Sequence, residues 1–359
     1  MPENEADATA TAAPDSWFVY RGTGVPHSDI DELLPPPPPW RVFSEAPGGG
    51  ADDDLPATPE DHRARTYRPD RNVVELVNAA LYLRRPILVT GKPGVGKSTL
   101  ARSIAYELDL GPLLHWPVNS RSTLAEGLYR YDAIGRLQEA NLRDAPGTAE
   151  DDRTADIGRY VRLGPLGTAL LPRSKPRVLL IDELDKGDLD LPNDLLDVFE
   201  EGSYTVPELA RLPDEQHEVE VFTDDHGPRT TIRRGRVSCD AFPIVVITNN
   251  GERRFPPAFL RRCVRVDIQP HDNRALAQIV RTQLGDEAAA AAEPVIERFM
   301  AKRSRDDIAT DQLLNAVYFA MSGALGEAGG QAAAEGADAH TRERLLDALL
   351  RGINSMDPA

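Results

Sequence analysis

The sequence predicts an α/β fold in which a parallel sheet flanked by helices carries a phosphate-binding loop, and three stretches of its 359 residues support that prediction. Residues 86–99, PILVTGKPGVGKST, join a short apolar run to a glycine-rich turn. Residues 178–183, VLLIDE, are four apolar residues ending in adjacent carboxylates, and residues 244–250, IVVITNN, are an apolar run ending in amides. None of these runs alternates polar with apolar residues, which is the pattern of strands buried on both faces. Each ends in polar groups, and open α/β sheets bind ligands at the carboxyl ends of their strands.

In the first stretch Ile87, Leu88 and Val89 form the strand, and Gly91, Gly94 and Gly96 let the backbone wrap an anion with its N–H groups turned inward. The spacing is G-x-x-x-x-G-K-S, and the helix that Lys97 and Ser98 open continues through Leu100, Ile104 and Leu108. A phosphate then lies at the positive end of a helix, with the lysine at the β- and γ-groups and the serine hydroxyl on magnesium. The expected nucleotide-binding residues are Gly91, Pro93, Gly94, Val95, Gly96, Lys97, Ser98 and Thr99, with ATP and Mg²⁺ as the cofactors. In the second stretch Asp182 is placed to hold Mg²⁺, directly or through water, and Glu183 to polarise the attacking water. At the end of the third, Asn249 or Asn250 can orient that water or sense the γ-phosphate.

Length suggests about two domains, at ~150 residues each. No apolar stretch reaches the ~18 residues of a membrane helix, and the acidic start MPENEADATA is unlike a signal peptide, so a cytoplasmic location and no membrane partner are expected. Cys239 and Cys263 have neither disulfide nor metal-ligand spacing and read as buried thiols. The net charge of −17 is unevenly spread: residues 1–70 carry 14 acids against 5 bases, residues 71–268 carry 30 against 27, and residues 269–359 carry 14 against 9. That distribution argues against a broad nucleic-acid footprint, while a local basic channel stays open.

Residues 1–70 hold 12 of the 30 prolines, including Pro35 to Pro39, and read as a largely disordered or extended acidic arm. Trp17, Phe18, Tyr20, Trp40 and Phe43 bracket the proline run, which leaves two readings, a solvated tail or an arm that packs on its own domain or a partner. Residues 72–83 place Val73, Leu76, Val77, Ala80 and Leu81 on one helical face. A second short strand is expected over 113–119 and a partly helical insertion over 120–165. A helix over 193–201 and the short segment GSYTV follow, and then a hairpin pairs 218–222 with 230–234. Residues 256–268, PPAFLRRCVRVDI, read as a short helix ending in Arg261 and Arg262, with Arg265 in a last strand. In residues 309–321, Leu313, Leu314, Val317, Tyr318 and Met321 fall at helical spacing.

Taken in order, GKPGVGKS, VLLIDE, ITNN and LRRCVR resemble Walker A, Walker B, sensor 1 and the arginine-finger segment of AAA+ ATPases, across residues 72–268. FEEGSYTV and the following hairpin resemble the insertions of the MoxR-like branch. The resemblance implies a P-loop NTPase core over 71–268 and a small all-α lid over 269–359. It implies Glu183, Asn249 and Arg262 as catalytic residues, with Asn250 and Arg265 as second candidates, and Ser98 and Asp182 at the metal. It also implies an arginine given in trans within a hexameric homo-oligomer, and a chaperone-like action on a protein substrate, such as one carrying a von Willebrand factor A domain. Where such a lid helix normally opens near a nucleotide-contacting arginine, this one opens at Thr310 and Asp311; Lys302, Arg303 or Arg305 can substitute. Two other functions remain in view, a DNA-directed motor using Arg229, Arg233, Arg234 and Arg236 around the hairpin, and a non-hydrolysing nucleotide switch.

Overall fold

The computed structural model describes residues 16–43, 56–143, 157–225, 227, 229–303, 308–321 and 343–350. Five strands, β1 (Ile87–Thr90), β2 (Leu114–Pro117), β5 (Val178–Asp182), β10 (Ile244–Asn249) and β11 (Val264–Asp267), form one sheet in the order β11-β1-β10-β5-β2. Every pairing in it is parallel. The absence of alternation in the apolar runs has a direct cause in this sheet. Ile87, Val89, Val178, Leu180, Ile244 and Val246 enter the core under α3 (Arg71–Leu83) and α4 (Lys97–Glu107). Leu88, Leu179, Ile181, Val245 and Ile247 enter the core on the opposite face.

That second core is shared with a six-stranded sheet of order β3-β4-β7-β8-β9-β6. Its strands are β3 (Tyr129–Tyr131), β4 (Val161–Leu163), β6 (Ser203–Thr205), β7 (Glu218–Phe222), β8 (Arg229–Arg233) and β9 (Arg236–Ser238). The expected hairpin is β7 and β8, antiparallel from Glu218 opposite Arg233 to Phe222 opposite Arg229, with Val219, Val221, Thr230 and Ile232 turned inward. The insertion over 120–165 is partly helical, as expected, but it also contributes strands. Besides α5 (Leu124–Leu128) and α6 (Ala133–Arg143) it supplies β3 and β4, three-residue strands too short for a pattern to reveal. The same core takes in residues of α7 (Pro165–Ala169), α8 (Leu191–Glu201) and α9 (Pro207–Ala210), and α10 (Pro257–Arg262) leads into β11.

Of the two readings left open for the arm, packing on its own domain is the one that the described residues show. Residues 1–15 and 44–55 lie outside the described residues, but 16–43 and 56–70 are packed on the domain and are not a solvated tail. Phe18, Val19, Tyr20 and Ile30, the last in α1 (Ile30–Leu33), are buried against α3 and α4. The fully buried Asn78 of α3 accepts from the N–H groups of Val19 (2.7 Å) and Tyr20 (3.0 Å), and donates to the Tyr20 carbonyl (2.7 Å). The buried Glu107 carboxylate at the end of α4 accepts from the N–H groups of Arg21, Gly22 and Gly24 at 2.5, 3.0 and 2.8 Å. Such an extended segment has no period, so only its pairing partners on other elements reveal its order. Farther on, α2 (His62–Thr66) lies against α4.

The C-terminal helices α11 (Asn273–Leu284), α12 (Asp286–Ala291), α13 (Glu293–Arg303) and α14 (Thr310–Met321) share a third core. In α14 Leu313, Ala316 and Val317 are buried, whereas Tyr318 and Met321, expected on the same face, are exposed. Both thiols are buried and unpaired, and burial pushes each up to about 12, as inert core cysteines require.

Candidate active site

The carboxyl ends of β1, β5 and β10 come together because these strands are parallel neighbours in the sheet, so their terminal residues lie at one edge of it. Beyond β1 the loop turns through Gly91, Gly94 and Gly96, whose φ values of 153°, 74° and 95° favour residues without a Cβ. At Gly94 there is a second reason, since a Cβ would collide with Ala309 at the start of α14. α14 therefore begins directly on the loop. Lys97 is buried, with its ammonium donating to the carbonyls of Gly91 (2.7 Å) and Lys92 (2.9 Å). Burial draws its pKa down while Asp185, Asp182 and Glu183 oppose that shift. An anion drawn into the loop meets a cation with little solvent to screen it.

The Ser98 hydroxyl, at the start of α4, donates to Asp182 Oδ1 at the end of β5 at 2.8 Å. The Thr248 hydroxyl donates to the same oxygen at 2.6 Å, and His115 Nε2 lies 3.3 Å from Oδ2. Burial alone raises the Asp182 pKa, but the hydrogen bonds of His115, Thr248 and Ser98 outweigh it and hold the carboxyl at about 2. Asp182 is ionised at any physiological pH. Ser98 and Asp182 supply the hard oxygen donors that Mg²⁺ prefers, and no cluster of three or more metal-ligating side chains exists among the described residues. That pair fits an ion completed by substrate phosphates and water, the usual arrangement for Mg²⁺, better than a resident structural metal.

Glu183 stands one residue beyond β5 with φ at 59°, a left-handed conformation that costs a non-glycine residue of order 1 kcal/mol. Its N–H donates to Thr248 Oγ1 at 2.7 Å, which helps to hold that conformation. Its carboxylate accepts from Asn250 Nδ2 (3.0 Å) and from Lys186 Nζ (2.7 Å). Of the two asparagines it is Asn250, not Asn249, that reaches Glu183. Asn249 is the last residue of β10, buried, with its side-chain oxygen taken by the N–H of Gly251 at 2.6 Å, whereas Asn250 is free of the strand and turns over its end. Asp185 secures this turn by accepting from the N–H groups of Asn250 (3.0 Å) and Glu252 (3.1 Å).

Arg262 closes α10, where its Nε donates to Glu200 Oε1 at 2.6 Å and one Nη to the Ala258 carbonyl at 3.4 Å. Within its own protomer it touches neither the loop nor the acidic pair. Arg265 stands exposed in the middle of the edge strand β11, opposite Leu88 in register and short of the strand's carboxyl end. Lys302 pairs with Asp347 at 2.6 Å, while Arg303 donates to the His271 carbonyl at 3.2 Å; Arg305 lies outside the described residues. Thr248, His115 and Asp185 were not singled out in the sequence. A threonine closing an apolar strand and a third acid two residues past Glu183 are the signals that mark Thr248 and Asp185, while nothing local marks His115.

Residues 86–263 match the family described as AAA domain (dynein-related subfamily). Residues 86–263 are an AAA domain. The match runs from the strand before the loop through Arg262, so it contains Lys97, Asp182, Glu183 and Asn250, and the AAA domain implies nucleotide binding, typically with Mg²⁺. The N-terminal arm and the C-terminal helices α11 to α14 lie outside the matched span. No curated protein shows a significant match to the chain.

Proposed function

We propose that this AAA domain hydrolyses ATP in a hexameric ring of the MoxR-like branch, and that the ring remodels a partner protein in the cytoplasm. The observation that carries the hydrolytic part is the meeting of Ser98 and Asp182 at 2.8 Å, with Glu183 beside them and held by Asn250 at 3.0 Å. The loop and Lys97 bind the β- and γ-phosphates, and Ser98 with Asp182 would hold Mg²⁺, which when bound neutralises charge on the phosphoryl oxygens. Glu183 accepts the proton of the attacking water at a carboxylate oxygen, with Asn250 fixing the other. Lys186 occupies one of those oxygens from the exposed side of the pair, and it is the contact that yields to water. Arg262, whose protomer partners are Glu200 and Ala258, reaches the γ-phosphate of a neighbour.

The β6-to-β9 insertion supports the MoxR-like assignment, and its resemblance extends the proposal to a protein partner, including one with a von Willebrand factor A domain. The DNA-motor reading loses support at the hairpin, where Arg229, Arg233 and Arg234 each lie within 4.0 Å of a carboxylate. A passive switch would not need Glu183 poised as it is.

Mixing experiments test the proposal. Arg262→Ala should bind ATP normally and hydrolyse it ~10³-fold more slowly, by analogy with other arginine fingers. Glu183→Gln should bind and not turn over. Mixed, the two should regain activity, because some interfaces then pair an intact Glu183 with an intact Arg262. Co-assembly without recovery would exclude an arginine acting between subunits.

A further inference from the structure

We infer that Glu200 is the positioning residue for Arg262, and that the N-terminal arm holds Glu200 in place through Arg41. The inference rests on the proposed role of Arg262 and adds what aims it. Glu200 lies in the last turn of α8, and its two oxygens face two arginines, Oε1 with Arg262 Nε at 2.6 Å and Oε2 with Arg41 Nη1 at 3.6 Å. With Nε bound to Glu200 and one Nη to the Ala258 carbonyl, the guanidinium plane of Arg262 is set from two sides, and the outer Nη edge is left to meet a phosphate.

Arg41 is itself fixed. It is only 6% exposed, lies over the rings of Phe43 (4.9 Å) and Phe242 (4.6 Å), and donates to the carbonyls of Arg84 (2.8 Å) and Phe199 (2.9 Å). The Phe199 carbonyl is one of the last four of α8, which have no partner inside the helix, so Arg41 caps the helix that carries Glu200. Phe43 stacks on Phe242 at 5.2 Å and fills the space over Gly202 where a Cβ would stand. The arm thus closes on the end of α8, α8 presents Glu200 to α10, and α10 ends in Arg262. Arg262 is 42% exposed, and without Glu200 its long side chain samples many rotamers. Misplacement of a transition-state contact by about 1 Å costs up to ~10²-fold in rate.

The test is a comparison of Glu200→Ala and Glu200→Gln with Arg262→Ala, reading ATP affinity, turnover and recovery on mixing. Glu200→Ala should leave ATP affinity unchanged and lower turnover ~10-fold or more. Glu200→Gln, which keeps an acceptor for Arg262 Nε, should lose less, and it serves in place of Glu200→Ala if that variant fails to fold. Mixed with Glu183→Gln, the Glu200→Ala protein should regain activity, since its own Glu183 then receives a well-held Arg262 from the other chain. The double variant Glu200→Ala/Arg262→Ala should be no slower than Arg262→Ala alone. Wild-type turnover in Glu200→Ala, or a rise above it, overturns the inference, the rise showing that Glu200 restrains the arginine instead. Loss in Glu200→Ala that mixing does not restore, while Arg262→Ala is restored, also overturns it and assigns Glu200 to the fold. If neither is restored, the arginine does not act between subunits and both readings fall.

Discussion

Lys97, Glu183 and Asn250 are each held by partners that predict what their loss would do. Lys97→Ala removes a buried cation whose charge-assisted bonds to phosphate are worth about 1.5–3 kcal/mol, so affinity for a fluorescent ATP analogue should fall ~10-fold to ~100-fold. Equal affinities would place the nucleotide elsewhere. The two asparagines give a sharper comparison. Asn250→Ala removes the bond to Glu183 Oε1 and should cut turnover ~10-fold or more at unchanged ATP affinity, as measured by steady-state hydrolysis. Asn249→Ala removes only the bond to the N–H of Gly251, and its turnover should stay closer to wild type. The opposite ranking would return the sensing role to Asn249. Sequence reasoning could place both residues at the end of the strand. The choice between them depended on which side chain the strand retains, and that is a matter of packing.

At the scale of elements the arm determines more than its composition suggests. Asn78→Ala would leave the N–H groups of Val19 and Tyr20 and the Tyr20 carbonyl buried without a partner. Each such group costs about 1–3 kcal/mol, so the substitution should destabilise the protein by about 3 kcal/mol or more in urea unfolding. A loss under about 1 kcal/mol would mean that the arm is not held there. Buried Glu107 makes the same link to α4, the helix that begins at Lys97, so the arm and the phosphate-binding loop share one support. The sequence marks the arm's aromatics as possible anchors and leaves their partners unnamed, because Asn78 and Glu107 sit on helices whose periodicity shows only the apolar face. Similarly, the alternation in β7 and β8 was legible, whereas β3 and β4 became strands only by pairing with each other and β7.

At the scale of the molecule, the acidic pair, the loop and Asn250 are complete within one chain, while the role proposed for Arg262 requires a neighbouring subunit. Specific ATPase activity should therefore fall on dilution as the proposed assembly dissociates, and sizing at the same concentrations should follow it. Activity per chain that stays constant below the assembly midpoint would place every catalytic group in one protomer. The sequence by itself determined the parallel α/β core, the loop with Lys97 and Ser98, and the acids at the end of β5, because these depend on local spacing and on strands buried on both faces. Only the tertiary structure decided that Asn250 reaches Glu183, that Thr248 and His115 hold Asp182 ionised, that the arm is part of the domain, and that Glu200 meets Arg262. All of these are contacts between residues far apart in the chain, and they exist only once neighbouring strands and packed helices bring those residues within hydrogen-bonding distance.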